Sequence, residues 1–278
     1  MPIFEYIYCN RKKNCTMKTI KLIGLCFLAL TFASCKDKTT ASTYMVSGNP
    51  QEIHIVASTD SLQIIPIGHA SMVLVYGDDV IYIDPVGSPD LYKDQEPPDY
   101  VFITDIHSDH FDRELLKALD LTNTTLFAPK AVTQLLPLLS LKATVTIHNG
   151  EIQTFENLMV EAVPMYNLRE EALKFHEKGR GNGYVLTLGN QRIYISGDTE
   201  DIPEMRNLKA IDVAFVCMNL PYTMTVEKAA DAVLEFKPKK VVPYHYRGTD
   251  GYSDVTHFKT LINNSEPEID VELLNWYR

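Results

Sequence analysis

The stretch Thr104-Asp105-Ile106-His107-Ser108-Asp109-His110-Phe111-Asp112 places three carboxylates and two imidazoles within eight residues, with no Lys, Arg, Gly or Pro among them. Imidazole and carboxylate are ligands that divalent transition metals prefer. A tight loop lets positions 105, 107, 109 and 110 point at one spot and surround a pair of ions. The cluster follows an apolar run, Tyr100-Val101-Phe102-Ile103, that reads as a buried strand. The end of a strand is a common place for an α/β fold to put its chemistry.

Two other segments repeat the pattern. Tyr194-Ile195-Ser196-Gly197-Asp198-Thr199 sets an Asp at the end of an apolar run, with a Gly giving the backbone room to turn. Val241-Val242-Pro243-Tyr244-His245 does the same with a His. Three strand ends thus offer metal ligands, and a sheet can bring such ends to one edge.

The elements that must position them read as follows. Strand-like runs cover 52–57, 62–67, 72–76 and 80–83, with a hairpin-type turn at Gly77-Asp78-Asp79. Asp112 is a good N-cap for a helix whose apolar face is Leu115, Leu116 and Leu119. A strand at 125–128 precedes a helix at 130–139, with Pro137 marking its end. Further strands are predicted at 144–147, 158–163, 183–188, 192–196, 213–217, 240–244 and 271–274, with helices at 226–236 and near 254–262. The front half is β-rich and the back half alternates strand and helix. Two sheets packed face to face with helices outside satisfy this pattern.

In the order and spacing of these motifs, residues 60–250 resemble the metallo-β-lactamase superfamily. Gly68-His69-Ala70-Ser71 and Ile83-Asp84-Pro85 are similar to the opening strands of its lactonase-like and N-acyl-phosphatidylethanolamine phospholipase D-like branch. The resemblance implies an α/β fold, an αββα sandwich of two mixed β-sheets flanked by helices, with a dinuclear site at one edge. It also implies that Asp109, His110 and His245 bind one metal, that Asp198 bridges, and that His107 belongs to the other metal's set. Two positions depart from the family pattern. Asp105 stands where its first His is found, and Asn167 where the branch has its next His.

Three outcomes follow from those departures. A second ion still binds through Asp105, His107 and Asn167, with preference shifted from Zn toward Mn or Fe because carboxylate and amide oxygens are harder donors. Alternatively, the centre is mononuclear, through Asp109, His110, Asp198 and His245. In the third outcome, His176 substitutes for Asn167. The activity implied is hydrolysis of an ester, lactone or phosphodiester. The departures at 105 and 167 keep open a metal- or ligand-binding lipoprotein that has lost catalysis, and the lipid anchor a phospholipase-like enzyme acting on membrane lipid. A metal pair about 3.5–4 Å apart generates a hydroxide near neutral pH, and Asp109 orients it. His69 is expected to hydrogen-bond a ligand and Asp84 to orient loops. His54, His148 and His257 read as strand, turn and surface-helix residues. Lys178 and Arg180, between glycines, offer either a phosphate contact or a basic surface turn. Tyr222, Tyr244 and Tyr246 are candidates either for lining a pocket or for plain packing, and Arg247 for pairing with an anion.

Composition bounds the partners. The 278 residues carry a formal net charge of −10 and 45% hydrophobic residues. That supports an ordinary packed core and argues against nucleic acid, whose phosphates need a basic face. Lys18 and Lys21 lead into an apolar run from Leu22 to Leu30 that is too short for a comfortable membrane span. Thr31-Phe32-Ala33-Ser34-Cys35 follows and resembles a bacterial lipobox, with Phe32 where Leu is more usual. The expectation is a signal peptide at 1–34, with 1–16 an extension before the start at Met17, and a lipid on Cys35. A tether at 35–50 and a single domain at 51–278 complete the organisation. The processed chain keeps 21 basic and 35 acidic residues and a net charge of −14, since residues 1–34 contain five of the former and one of the latter. Cys35 and Cys217 would be its cysteines, so no internal disulfide is expected. These features place the protein at the cell envelope, on a periplasmic or outer-membrane face. They also point to a small-molecule or lipid substrate.

Overall fold

The computed structural model describes residues 61–155 and 157–277. The chain divides into two units, Met1–Val56 and Ala57–Arg278, and every described element lies in the second. The expected signal peptide, lipidated Cys35, tether, His54 and the 52–57 strand lie outside the described residues.

Two mixed sheets are flanked by helices. The first contains β1 (Gln63–Gly68), β2 (Ser71–Tyr76), β3 (Asp79–Ile83), β4 (Tyr100–Phe102), β5 (Thr125–Ala128) and β6 (Ala143–Thr146), in that spatial order. β1, β2 and β3 pair antiparallel, and β3 to β6 pair parallel. The second contains β7 (Ile152–Phe155), β8 (Leu158–Met165), β9 (Gly181–Leu188), β10 (Gln191–Ile195), β11 (Val213–Cys217) and β12 (Lys240–Tyr244). A separate ribbon pairs β13 (Arg247–Gly248) with β14 (Gly251–Tyr252), and β15 (Asp270–Val271) adds to β12. β7 to β10 pair antiparallel, and β10, β11, β12 and β15 pair parallel.

Side-chain alternation decides what each face of the first sheet meets. Met72, Leu74, Ile81, Ile83, Phe102 and Phe127 join one core with Val160, Tyr184, Leu186 and Phe215 of the second sheet. Phe102 lies edge-on to Tyr184 at 5.1 Å, and Tyr184 Oη donates to the Ile103 carbonyl at 2.8 Å. The intervening residues Val73, Tyr82, Val101 and Leu126 pack instead with Leu115 and Leu116 of α1 (Arg113–Ala118). Asp112 caps α1, accepting from the Glu114 and Leu115 amides at 3.0 Å each.

The helix expected at 130–139 is a single turn, α2 (Lys130–Thr133). Pro137 acts earlier than expected. Its ring would clash with the Thr133 carbonyl and it disfavours helical geometry at Leu136, so the helix stops four residues before it. The last strand is also shorter than the predicted 271–274. Short elements that carried too weak a pattern to be expected include β7, α3 (Pro203–Arg206) and the β13–β14 ribbon. α4 (Val226–Phe236) matches its predicted bounds, and α5 (Val255–Ser265) runs slightly longer.

One topological consequence matters for chemistry. β1, β3, β4, β8, β10 and β12 each end just before a residue singled out in the sequence: His69, Asp84, Asp105, Asn167, Asp198 and His245. Strands that run the same way within a sheet deliver their carboxyl ends to the same edge.

Candidate metal centre

The loop after β4 is held by His110 N and Phe111 N, which both donate to the His107 carbonyl, at 3.0 and 2.8 Å. That turn drives His110 inward to full burial and leaves the Asp109 side chain 42% exposed. Asp84 fixes the His110 ring. Its Oδ1 accepts from the Thr104 amide at 2.7 Å, and its Oδ2 accepts from Thr104 Oγ1 at 2.6 Å and pairs with His110 Nδ1 at 2.8 Å. A proton held on Nδ1 leaves the Nε2 lone pair free, the arrangement found behind metal-binding histidines.

His110 Nε2 lies 3.1 Å from His245 Nε2 and 3.4 Å from Asp198 Oδ2. His245 Nε2 lies 3.0 Å from Asp198 Oδ1 and 3.6 Å from Asp109 Oδ2. Two lone pairs facing each other at 3.1 Å repel unless a proton or a cation sits between them. His69 braces this group from behind. Its Nδ1 is 3.2 Å from His245 Nδ1 and 2.9 Å from Tyr277 Oη, while its Nε2 is 3.3 Å from Asp109 Oδ2. His69, Asp84 and His245 all have left-handed backbones, with φ of 55°, 43° and 47°. Such conformations cost L-residues about 1–3 kcal/mol each and persist where the surroundings enforce them.

A second cluster adjoins the first. Asp105 Oδ2 is 2.7 Å from His107 Nδ1 and 3.8 Å from His176 Nε2. His176 Nε2 is also 3.2 Å from Asp198 Oδ2, so Asp198 touches both clusters. The ligand atoms of Asp105, His107 and His176 lie within 4.8 Å of one another, as do those of His110, Asp198 and His245, and those of His69, Asp109 and His245. His176 Nε2 and Asp198 Oδ1 are buried and make no well-aligned hydrogen bond, with Asp198 Oδ2 and His245 Nε2 at 3.2 and 3.0 Å respectively. A buried carboxylate is costly without a cation or well-aligned donors, and an ion beside Asp198 would meet that need.

Charge is tightly balanced here. Burial would push Asp198 up, but His245 and His110 beside it hold it well below the usual carboxylate range. Burial also works against ionised Asp109 and Asp105. The His69 hydrogen bond and His110 hold Asp109 down, while the His107 hydrogen bond, with the charges of His107, His110 and Arg180, holds Asp105 down. Burial would lower His110, yet the carboxylates of Asp198 and Asp84 raise it well above the usual histidine range. Burial pulls His245 below that range against the pull of Asp198. Asp84 is raised by burial, offset only in part by His110.

The structure therefore brings Asp109, His110, Asp198 and His245 together, with Asp105 and His107 alongside. The imidazole that meets Asp105 and His107 belongs to His176, the substitute named among the alternatives. Asn167 donates its Nδ2 to the Ala172 carbonyl at 2.9 Å and the Tyr222 carbonyl at 2.7 Å. Its Oδ1 is buried and unpartnered. The Tyr222 carbonyl also contacts His176 Nδ1 at 3.2 Å, so Asn167 organises the loop that carries His176 and turns that ring's Nε2 inward. Lys178 and Arg180 both have acidic partners, Lys178 at the surface and Arg180 mostly buried. Lys178 pairs with Glu204 at 2.8 Å, and Arg180 pairs with Asp105 at 3.0 Å. Tyr277 and Asn219, whose Nδ2 is 3.3 Å from His245 Nε2, escaped the sequence reading because neither belongs to a motif.

The donor set and the turned imidazoles fit a divalent transition metal. Residues 63–245 match the Beta-lactamase superfamily domain. The UPF0173 metal-dependent hydrolase of Thermococcus kodakarensis is 28% identical over 211 residues, 71% of this chain and 91% of that protein. A solved structure from Parabacteroides distasonis, described as a candidate metal-dependent hydrolase, is 36% identical, with a TM-score of 0.69 over 79% of this chain and 94% of that one. Igni18, a metallo hydrolase of Ignicoccus hospitalis, shares the fold at 21% identity and a TM-score of 0.64, over 78% of this chain and 96% of its own.

Proposed function

This chain belongs to the metallo-β-lactamase superfamily and is a metal-dependent hydrolase; we propose that it cleaves a small ester, lactone or phosphodiester that carries an anionic group. The observation that carries the reading is the buried meeting of His110 Nε2, His245 Nε2 and the Asp198 carboxylate within 3.0–3.4 Å. Asp109, His110, Asp198 and His245 would hold a divalent ion, with zinc the first expectation and manganese or iron next. A bound ion supplies an acidified water and a Lewis-acid contact to the attacked oxygen.

The chain's own residues do the remaining work. Asp109 is the carboxylate of the group that faces solvent, and His69 holds it in place, so it orients the incoming water. Asp84 and Thr104 keep the His110 proton on Nδ1. A cleft of about 630 Å³ opens beside His69 and Asp109, with Ile65, Ile67, Val86 and Leu91 as apolar wall. Arg247 lies at this cleft with its guanidinium 5.3 Å from the centre of the Tyr277 ring, positioned to pair with an anion. The opening-strand motifs Gly68-His69-Ala70-Ser71 and Ile83-Asp84-Pro85 support the lactonase-like and phospholipase D-like branch, and hence these substrate classes. The sequence around Cys35 supports anchorage of the enzyme at the cell envelope, which would also bring lipid esters within reach.

The test is turnover of metal-loaded protein against bis-p-nitrophenyl phosphate, acyl lactones and N-acyl phospholipids. Hydrolysis of at least one class, lost on chelation and regained on reloading, is expected. A full metal complement with no turnover of any class would refute the substrate assignment. Radiolabelled palmitate incorporated by the wild type and not by Cys35→Ala would support the anchor.

A further inference from the structure

The two halves of the metal centre differ in one respect that governs how many ions it holds. In the first, Asp109 and Asp198 contact histidines, and neither contacts a Lys or Arg among the described residues. The second contains a permanent cation. Arg180 Nε donates to Asp105 Oδ1 at 3.2 Å and Arg180 Nη2 to Asp105 Oδ2 at 3.0 Å, a fork that occupies both carboxylate oxygens. The same Nη2 donates to the Phe175 carbonyl and lies 3.4 Å from His107 Nε2. The Arg180 side chain is only 19% exposed, and Asp105 is fully buried.

We propose that Arg180 is the internal counter-ion of the Asp105–His107–His176 cluster and takes the electrostatic place of a second divalent cation, so that the protein holds one ion, at Asp109, His110, Asp198 and His245. The inference rests on the metal reading of that first group. A buried carboxylate needs a cation or a proton nearby. Arg180 meets the need in the planar, two-point geometry that guanidinium and carboxylate share. Asp105 Oδ2 is further engaged by His107 Nδ1 at 2.7 Å. An ion entering this cluster would have to take both atoms out of that contact and settle beside a positive charge that cannot be deprotonated. An ion entering the first group meets two carboxylates and no fixed cation.

The experiment is metal stoichiometry rather than activity. Full-length protein is stripped with chelator, dialysed against buffered zinc, and its bound metal counted by mass spectrometry, with binding isotherms from calorimetry. The wild type is expected to bind one ion tightly and any second at least 100-fold more weakly. Arg180→Met leaves Asp105 without its counter-ion and is expected to bind two. Arg180→Lys keeps a cation and is expected to stay at one, as is Arg180→Met combined with Asp105→Asn. Two wild-type ions of affinity within tenfold would overturn the inference and leave the hydrolase reading intact. Arg180→Met remaining at one ion, with a melting curve like that of the wild type, would also overturn it. No ion bound by the wild type would overturn both readings. Should Arg180→Met fail to fold, the wild-type count alone decides.

Discussion

Replacing Asp84 by Asn tests whether the centre is built outward from its supporting hydrogen bonds. Three donors converge on this buried carboxylate: the Thr104 amide, the Thr104 hydroxyl and His110 Nδ1, at 2.7, 2.6 and 2.8 Å. Asn offers one acceptor oxygen and an NH₂ group. With the oxygen kept on the Thr104 amide, the NH₂ faces Thr104 Oγ1, which can rotate to accept, and His110 Nδ1, which must then give up its proton. The His110 proton moves to Nε2, the atom that points at Asp198 and His245. A metal must displace it before binding. Loss of such an orienting partner lowers metal affinity by about 10–100-fold, or about 1.4–2.8 kcal/mol. The assay is zinc competition against a chromophoric chelator at pH 7, with circular dichroism melts of the metal-free proteins as a control for folding. An affinity within threefold of wild type, in a protein that melts normally, would refute the idea that Asp84 sets the His110 tautomer.

Asp109→Ala and His245→Ala should each abolish turnover on whichever substrate the panel identifies, while His257→Ala, on the exposed face of α5, should leave it intact; equal activity in all three would dismiss this site. Metal affinity should fall with acid, because His110 is raised by its carboxylate neighbours and its proton must leave, whereas Asp198, Asp109 and Asp105 are depressed and stay ionised. The expected slope is about tenfold per pH unit below the raised His110 value and flattens above it, one proton being exchanged per ion; calorimetry from pH 6 to 9 reads it, and a flat profile would count against His110 as a ligand. Gly183→Ala should destabilise the fold by about 1–3 kcal/mol in urea titration, since a Cβ there would lie 2.8 Å from the Ser196 carbonyl and 2.9 Å from that of Ile195. Phe102→Ala, which opens the core between the sheets, should cost about 3–5 kcal/mol.

Much of the fold was legible because local patterns and tertiary burial agree. The bounds of α4 follow from an apolar stripe that starts after the Thr225 cap, and its buried residues are those of that stripe. β2 to β5 were readable as short apolar runs between turn residues. β7 was not, because its alternation is faint and its side chains are only partly buried or exposed. α2 was over-extended because propensity along 130–139 is helical, whereas Pro137 limits the chain from four residues downstream.

The sequence by itself determined which atoms were on offer. Asp105, His107, Asp109 and His110 sit in one loop, and Asp198 and His245 each close an apolar run, so strand-end chemistry could be read without coordinates. Tertiary structure alone decided who meets whom. His176 reaches Asp105 only because Asn167 and the Tyr222 carbonyl, 55 residues apart in the chain, fasten its loop. Arg180 faces Asp105 across 75 residues, and Tyr277 reaches His69 across 208. Spacing along a chain constrains neighbours within a helix turn or a loop. Contacts between distant segments are set by sheet order and packing, which no local pattern encodes.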